Sequence, residues 1–222
     1  MTRVKVCGLT TEDDLETAVD AGVDAVGFIC DVTVDTPREV SVDRARELVA
    51  AVPPFVTAVL VTMPSSPERT LELADAVGPD ALQIHSTLGP ADLAAVRSEL
   101  DTQLLYAIDA DDATDAAAYD DTADALLVDT PAEDGGGGTG ETHDWDRTRR
   151  AARDLESPLI LAGGLTPDNV VDAIRTVEPF AVDVASGVEA ADGSKDPAAV
   201  HSFVDRAMTA HRAVEPDSSQ LP

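Results

Sequence analysis

Leu159-Ile160-Leu161-Ala162-Gly163-Gly164-Leu165-Thr166-Pro167-Asp168-Asn169-Val170 holds a short apolar run, a glycine pair and a helix-start signal in one stretch. The run, Leu159 to Ala162, is continuously apolar, as a parallel strand covered on both faces must be. Thr166-Pro167-Asp168 follows with the residue types of a helix N-terminus, placing proline at the first helical position. The unit therefore reads as strand, glycine loop, helix.

The same unit recurs in both directions along the chain. Apolar runs stand at Val4 to Cys7, Ala25 to Cys30, Phe55 to Val61, Ala81 to Ile84, Leu104 to Ile108, Ala125 to Val128, Leu159 to Ala162 and Ala181 to Ala185. Helical segments with start signals lie between them: Thr10 or Thr11 ahead of Glu12-Asp13-Asp14, Ser41, Ser66-Pro67-Glu68, Gly89-Pro90, Asp144-Trp145-Asp146 as the sixth, and Asp196-Pro197 as the eighth. Eight strand-helix repeats in one chain of this length predict an α/β fold, a parallel eight-stranded (β/α)8 TIM barrel over residues 1–213. No linker divides it, and residues 214–222, Glu-Pro-Asp-Ser-Ser-Gln-Leu-Pro after Val214, read as a disordered tail.

Composition narrows the setting. The 222 residues are 44% hydrophobic, ample for a core, and the two cysteines, Cys7 and Cys30, are too few for a disulfide framework. No basic and apolar leader opens the chain and no apolar run reaches the roughly 18 residues of a membrane span, so a cytoplasmic, non-membrane protein is expected. The net charge is -28, and the only lysines are Lys5 and Lys195. Such a field repels nucleic acid and acidic membranes. A solvated acidic surface accounts for it. Adaptation to multimolar salt, where the Debye length falls to about 3 Å and self-repulsion is screened, accounts for it more specifically.

A barrel puts its chemistry at the C-terminal ends of strands and in the loops that follow. Cys7, Arg38, His85, Asp109, Asp129, Gly163-Gly164 and Asp183 with Ser186-Gly187 all stand at or just after such ends. The glycine pair and Ser186-Gly187 follow strands seven and eight, where backbone N–H groups often hold a phosphate, so Gly163, Gly164, Ser186 and Gly187 are the phosphate-binding candidates. Tight turns that need glycine are the plainer alternative. Asp129 is placed to give or take a proton, or else to cap its loop.

The loop Gly135 to Gly140 matches G-x-G-x-x-G only in text. Five residues separate it from Asp129, no dinucleotide-type turn precedes it, and no G-K-[ST] follows. It reads as a loop that closes over substrate, or as plain disorder. Thr36-Pro37-Arg38 supplies a guanidinium that can fork onto a carboxylate or sit in solvent. His85 fits a ligand contact or a structural histidine. Four scattered histidines and two cysteines give no metal-ligand spacing, so no metal site is expected.

Together these residues resemble the phosphoribosylanthranilate isomerase family of tryptophan biosynthesis. The resemblance is carried by Lys5 to Thr10, Thr36 to Arg38, Gln83 to His85, Leu126 to Asp129, Gly137-Gly138-Thr139-Gly140 with Asp144-Trp145, Leu161 to Val170, and Val182 to Glu189 with Gly193-Ser194-Lys195-Asp196. It implies an Amadori rearrangement with Cys7 as base and Asp129 as acid. Arg38 would hold the anthranilate carboxylate, Asp183 the anthranilate nitrogen or a ribulose hydroxyl, and His85 would also face the substrate. It implies a phosphorylated small-molecule substrate, no cofactor, and a monomer or homodimer. Ser86 stands where the family usually has glycine, and Glu141 where it has a basic residue. Two other readings are an indole-glycerol-phosphate synthase, which needs catalytic lysines at strand ends, and a barrel retained as a metabolite-binding module.

Overall fold

The computed structural model describes residues 1–85, 88–130, 144–153 and 155–211. Ser86, the Gly135 to Gly140 stretch, Glu141 and the tail 214–222 lie outside the described residues.

The apolar runs become eight parallel strands: β1 Arg3–Cys7, β2 Ala25–Ile29, β3 Thr57–Thr62, β4 Ala81–His85, β5 Gln103–Asp109, β6 Ala125–Asp129, β7 Leu159–Leu161 and β8 Ala181–Val184. They pair in chain order and β8 closes back onto β1, giving a closed barrel with no free edge. Alternation along each strand divides the side chains into two cores. Cys7, Val59, Val61, Leu105, Leu127 and Ile160 fill the interior. Val4, Val6, Phe28, Leu60, Ile84 and Val182 face outward, under the helices.

Among the described residues seven α-helices form the outer layer: α1 Glu12–Asp20, α2 Val42–Ala51, α3 Pro67–Val77, α4 Pro90–Glu99, α5 Trp145–Ala152, α6 Val170–Val177 and α7 Pro197–Thr209. Their starts carry the expected caps. Thr11 and Asp14 make a reciprocal capping box, Ser41, Ser66, Asp144 and Asp196 accept first-turn N–H groups, and α3, α4 and α7 hold proline in the first turn.

Three local expectations are corrected. The fifth unit has a 3-10 helix, Ala110–Ala118, in place of an α-helix. Its sequence, Ala-Asp-Asp-Ala-Thr-Asp-Ala-Ala-Ala, is rich in aspartate, which competes with the helical backbone for hydrogen bonds. Helix α6 begins at Val170 and not at Pro167, because the Asn169 side chain spans the loop, accepting from Thr166 N–H at 2.8 Å and donating to the Gly164 carbonyl at 2.9 Å. Strand β3 begins at Thr57, since Phe55 lies in a turn at φ 74 with its ring fully exposed.

Candidate active site

The cavity at the C-terminal mouth of the barrel is built from strand ends. Cys7 is the last residue of β1, and its register partner on β2 is Gly27. A Cβ at Gly27 would lie 2.6 Å from the Cys7 sulfur, so only glycine leaves room for the thiol to turn inward. Two residues earlier on the same face, Lys5 pairs in register with Asp183 of β8, and its Nζ donates to Asp183 Oδ2 at 2.8 Å. Both groups are buried. The other carboxylate oxygen, Oδ1, is buried with no partner among the described residues. It lines the cavity as an unfilled acceptor, and such groups are rare enough to mark a binding position.

Asp129 ends β6 and is 9% exposed. Its Oδ1 accepts the Thr130 N–H at 2.7 Å. Burial, aided by the nearby Asp183 charge and opposed by that N–H, pushes its carboxyl up to about 7. The carboxyl therefore keeps its proton to much higher pH than an ordinary aspartate does. Burial also pushes the Cys7 thiol up, with the Lys5 ammonium opposing the rise. Lys5 itself is held charged, because attraction to Asp183 and Cys7 outweighs its burial. Burial lowers the His85 imidazole, leaving it neutral at pH 7 and able to donate from one nitrogen and accept at the other.

Arg38 packs against Gly8, the residue after Cys7. Its Nε and Nη2 grip both oxygens of Glu189, at 2.7 and 2.8 Å, and this bidentate bond keeps the guanidinium charged. Gly163 and Gly164 both have positive φ, and a side chain at Gly163 would collide with Thr130, so the loop after β7 packs directly on the end of β6. Ser186 and Gly187 continue this wall after β8.

All nine candidate residues, Cys7, Arg38, His85, Asp129, Gly163, Gly164, Asp183, Ser186 and Gly187, line this one cavity. The structure adds groups that the sequence reading did not assign. Gln83 turns into the cavity with its Oε1 unpartnered among the described residues. Ile29, Val32, Val34, Val61 and Met63 form an apolar wall of the cavity. The alternation of Val32 and Val34 after β2 was the available signal for that wall. Cys30 is buried outside the barrel interior, its thiol pushed up to about 11. No group of three or more metal-binding side chains occurs among the described residues.

A family model described as N-(5'phosphoribosyl)anthranilate (PRA) isomerase matches residues 4–206. An N-(5'-phosphoribosyl)anthranilate isomerase of Natronomonas pharaonis is 58% identical over 207 residues, covering 93% of this chain and 98% of the relative. The protein of the same name from Haloferax volcanii is 56% identical, with 97% of each chain covered. Among solved structures, phosphoribosyl anthranilate isomerase from Thermotoga maritima superposes with TM-score 0.82 at 35% identity, covering 94% of this chain and 99% of that one. A phosphoribosyl anthranilate isomerase in complex with reduced 1-(o-carboxyphenylamino)-1-deoxyribulose 5-phosphate superposes with TM-score 0.79 at 34% identity, with the same coverage.

Proposed function

The chain belongs to the N-(5'-phosphoribosyl)anthranilate isomerase family, and from that membership we propose how its barrel cavity moves the proton. The activity is the isomerisation of N-(5'-phosphoribosyl)anthranilate in tryptophan biosynthesis. An Amadori rearrangement of this substrate has two demands. The furanose must open, which needs an acid at the ring oxygen, and a base must then remove the C2 proton of the resulting iminium.

Asp129 gives its proton to the ring oxygen. Cys7 takes the C2 proton and leaves an enolamine. The proton balance closes when the thiol returns its proton to C1 and the Asp129 carboxylate takes the one on the C2 hydroxyl, yielding the ketone and both groups in their starting states. Arg38 holds the anthranilate carboxylate, with its ring against the Ile29, Val32 and Met63 wall. The free oxygen of Asp183 accepts from the anthranilate nitrogen or a ribulose hydroxyl, and neutral His85 reaches the sugar. Backbone groups of Gly163, Gly164, Ser186 and Gly187 hold the phosphate.

The observation that carries this reading is that the buried Asp129 carboxyl and the Cys7 thiol, at the ends of β6 and β1, line one cavity, where burial pushes the carboxyl up to about 7. Ordinary values would leave the acid ionised at neutral pH. The lyase alternative needs free lysines at strand ends. Both lysines of this chain are committed to buried ion pairs, with Asp183 and Glu189. The change in anthranilate-type fluorescence on adding purified protein to N-(5'-phosphoribosyl)anthranilate in multimolar KCl tests the reading. Rapid consumption is expected; no consumption by folded protein would overturn it.

A further inference from the structure

The chain has two lysines in 222 residues, with arginine supplying every other basic side chain. Lys5 serves Asp183 inside the barrel. Lys195, just ahead of α7, has a fully buried side chain. A protein whose surface has dispensed with lysine keeps this one inside.

Its ammonium makes two contacts, one leading to Arg38 and the other to the Ser186–Gly187 turn, both in the lining of the cavity. Nζ donates to Glu189 Oε1 at 2.7 Å and to the Ala185 carbonyl at 3.2 Å. Glu189 in turn grips Arg38 through both oxygens, engaging Nε and Nη2. Ala185 is the residue from which the Ser186–Val188 turn springs, at the irregular φ -124, ψ -83. Gly187 in that turn sits so close to the Leu165 carbonyl that no Cβ fits between them. The position of Lys195 is itself imposed: its backbone N–H donates to Asp14 Oδ1 at 2.8 Å, and it bridges Glu189 in an antiparallel pair. Asp14 is fixed by Thr10 and Thr11 at the start of α1. Charge points the same way. Arg38 and Glu189 cancel, and Lys195 restores one positive charge to a cluster that must receive a substrate with two anionic groups in a protein of net charge -28.

We propose that Lys195 is a positioning residue that sets both anion-holding ends of the substrate site at once, Arg38 through Glu189 and the Ser186–Gly187 turn through the Ala185 carbonyl. This rests on the assignment of those two ends to carboxylate and phosphate made above. Nζ touches no substrate. It fixes the two grips at their required separation.

The test compares Lys195→Met, Glu189→Gln and Arg38→Met in the full chain in multimolar KCl. Binding of anthranilate and of inorganic phosphate is measured separately by calorimetry, alongside KM and kcat. Lys195→Met should weaken both probes at least tenfold and raise KM more than it lowers kcat, with Cys7 and Asp129 untouched. Arg38→Met should weaken anthranilate alone. Glu189→Gln keeps an acceptor for Nζ but loses half the grip on Arg38, so it too should weaken anthranilate and spare phosphate. A folded Lys195→Met that binds both probes within twofold of the wild type, or that loses only one, would overturn the proposal. Should Lys195→Met fail to fold, Lys195→Gln replaces it under the same two criteria, and if that also fails, unchanged anthranilate binding by Glu189→Gln overturns the proposal while selective weakening supports it. Calorimetry reads both probes without turnover, so a wild-type chain inactive on N-(5'-phosphoribosyl)anthranilate would sink the parent reading separately.

Discussion

Burial that suits Asp129 for catalysis works against the fold. A carboxyl raised from an ordinary value near 4 to about 7 binds a proton in the folded state that the unfolded chain has already lost. Stability is therefore unaffected below about pH 4 and falls as pH rises toward 7, by an amount on the order of 4 kcal/mol from the size of the shift. Asp129→Asn should melt higher than the wild type at pH 8 and equally at pH 4, while turnover falls at least a hundredfold. Melting curves of the two proteins at both pH values check this. The thiol has the mirror problem, since burial holds Cys7 protonated and the base must be thiolate. The competent form, neutral Asp129 with thiolate Cys7, is then a minority species. Below pH 7 the thiolate fraction falls with pH; above the thiol's own value the protonated acid falls; between the two the losses cancel. A plot of log kcat/KM against pH should drop on the acid side of about 7, stay flat from there up to the thiol's own value, and drop again above it. A profile declining steadily from pH 6 to 8 would show that no such minority species is at work.

At the scale of elements, the site depends on how closely β1 can approach β2. Gly27→Ala places a methyl group 2.6 Å from the Cys7 sulfur and must turn the thiol aside. We expect kcat to fall at least tenfold with KM near the wild-type value, and a stability loss of about 1–3 kcal/mol from overpacking. Steady-state kinetics with a thermal melt would separate the two effects. The barrel and its mouth were legible because each strand is an uninterrupted apolar run ending in a polar or glycine residue, as Leu126-Leu127-Val128-Asp129 and Leu159-Ile160-Leu161-Ala162-Gly163 are. What escaped reading depends on contacts distant in sequence. The Arg38–Glu189 pair spans 151 residues and the Lys5–Asp183 pair 178, and no local pattern marks either. Phe55 and Pro167 were misplaced because an apolar residue beside a strand and a proline beside a helix give the same signal inside or outside the element.

Over the whole molecule, repulsion among 43 acidic residues sets the conditions under which the site exists. Most ion pairs at the surface, such as Arg46–Asp43 and Arg206–Asp168, are exposed and screened by salt, so they add little. The buried pairs Lys5–Asp183 and Lys195–Glu189 keep their strength in salt. The two relatives named above, from Natronomonas pharaonis and Haloferax volcanii, belong to halophilic archaea, in keeping with that design. Lowering KCl from multimolar to about 0.1 M should lower the melting temperature and abolish the folded-state circular dichroism near room temperature; a melt unchanged across that range would contradict salt adaptation. Under the salt that keeps the chain folded, the decisive comparison is fluorescence-followed turnover of N-(5'-phosphoribosyl)anthranilate by wild type, Cys7→Ser and Asp129→Asn. The account predicts rapid consumption by the wild type and losses of at least a hundredfold in each folded variant. Wild-type rates in Cys7→Ser would show that the thiol at the end of β1 is not the base.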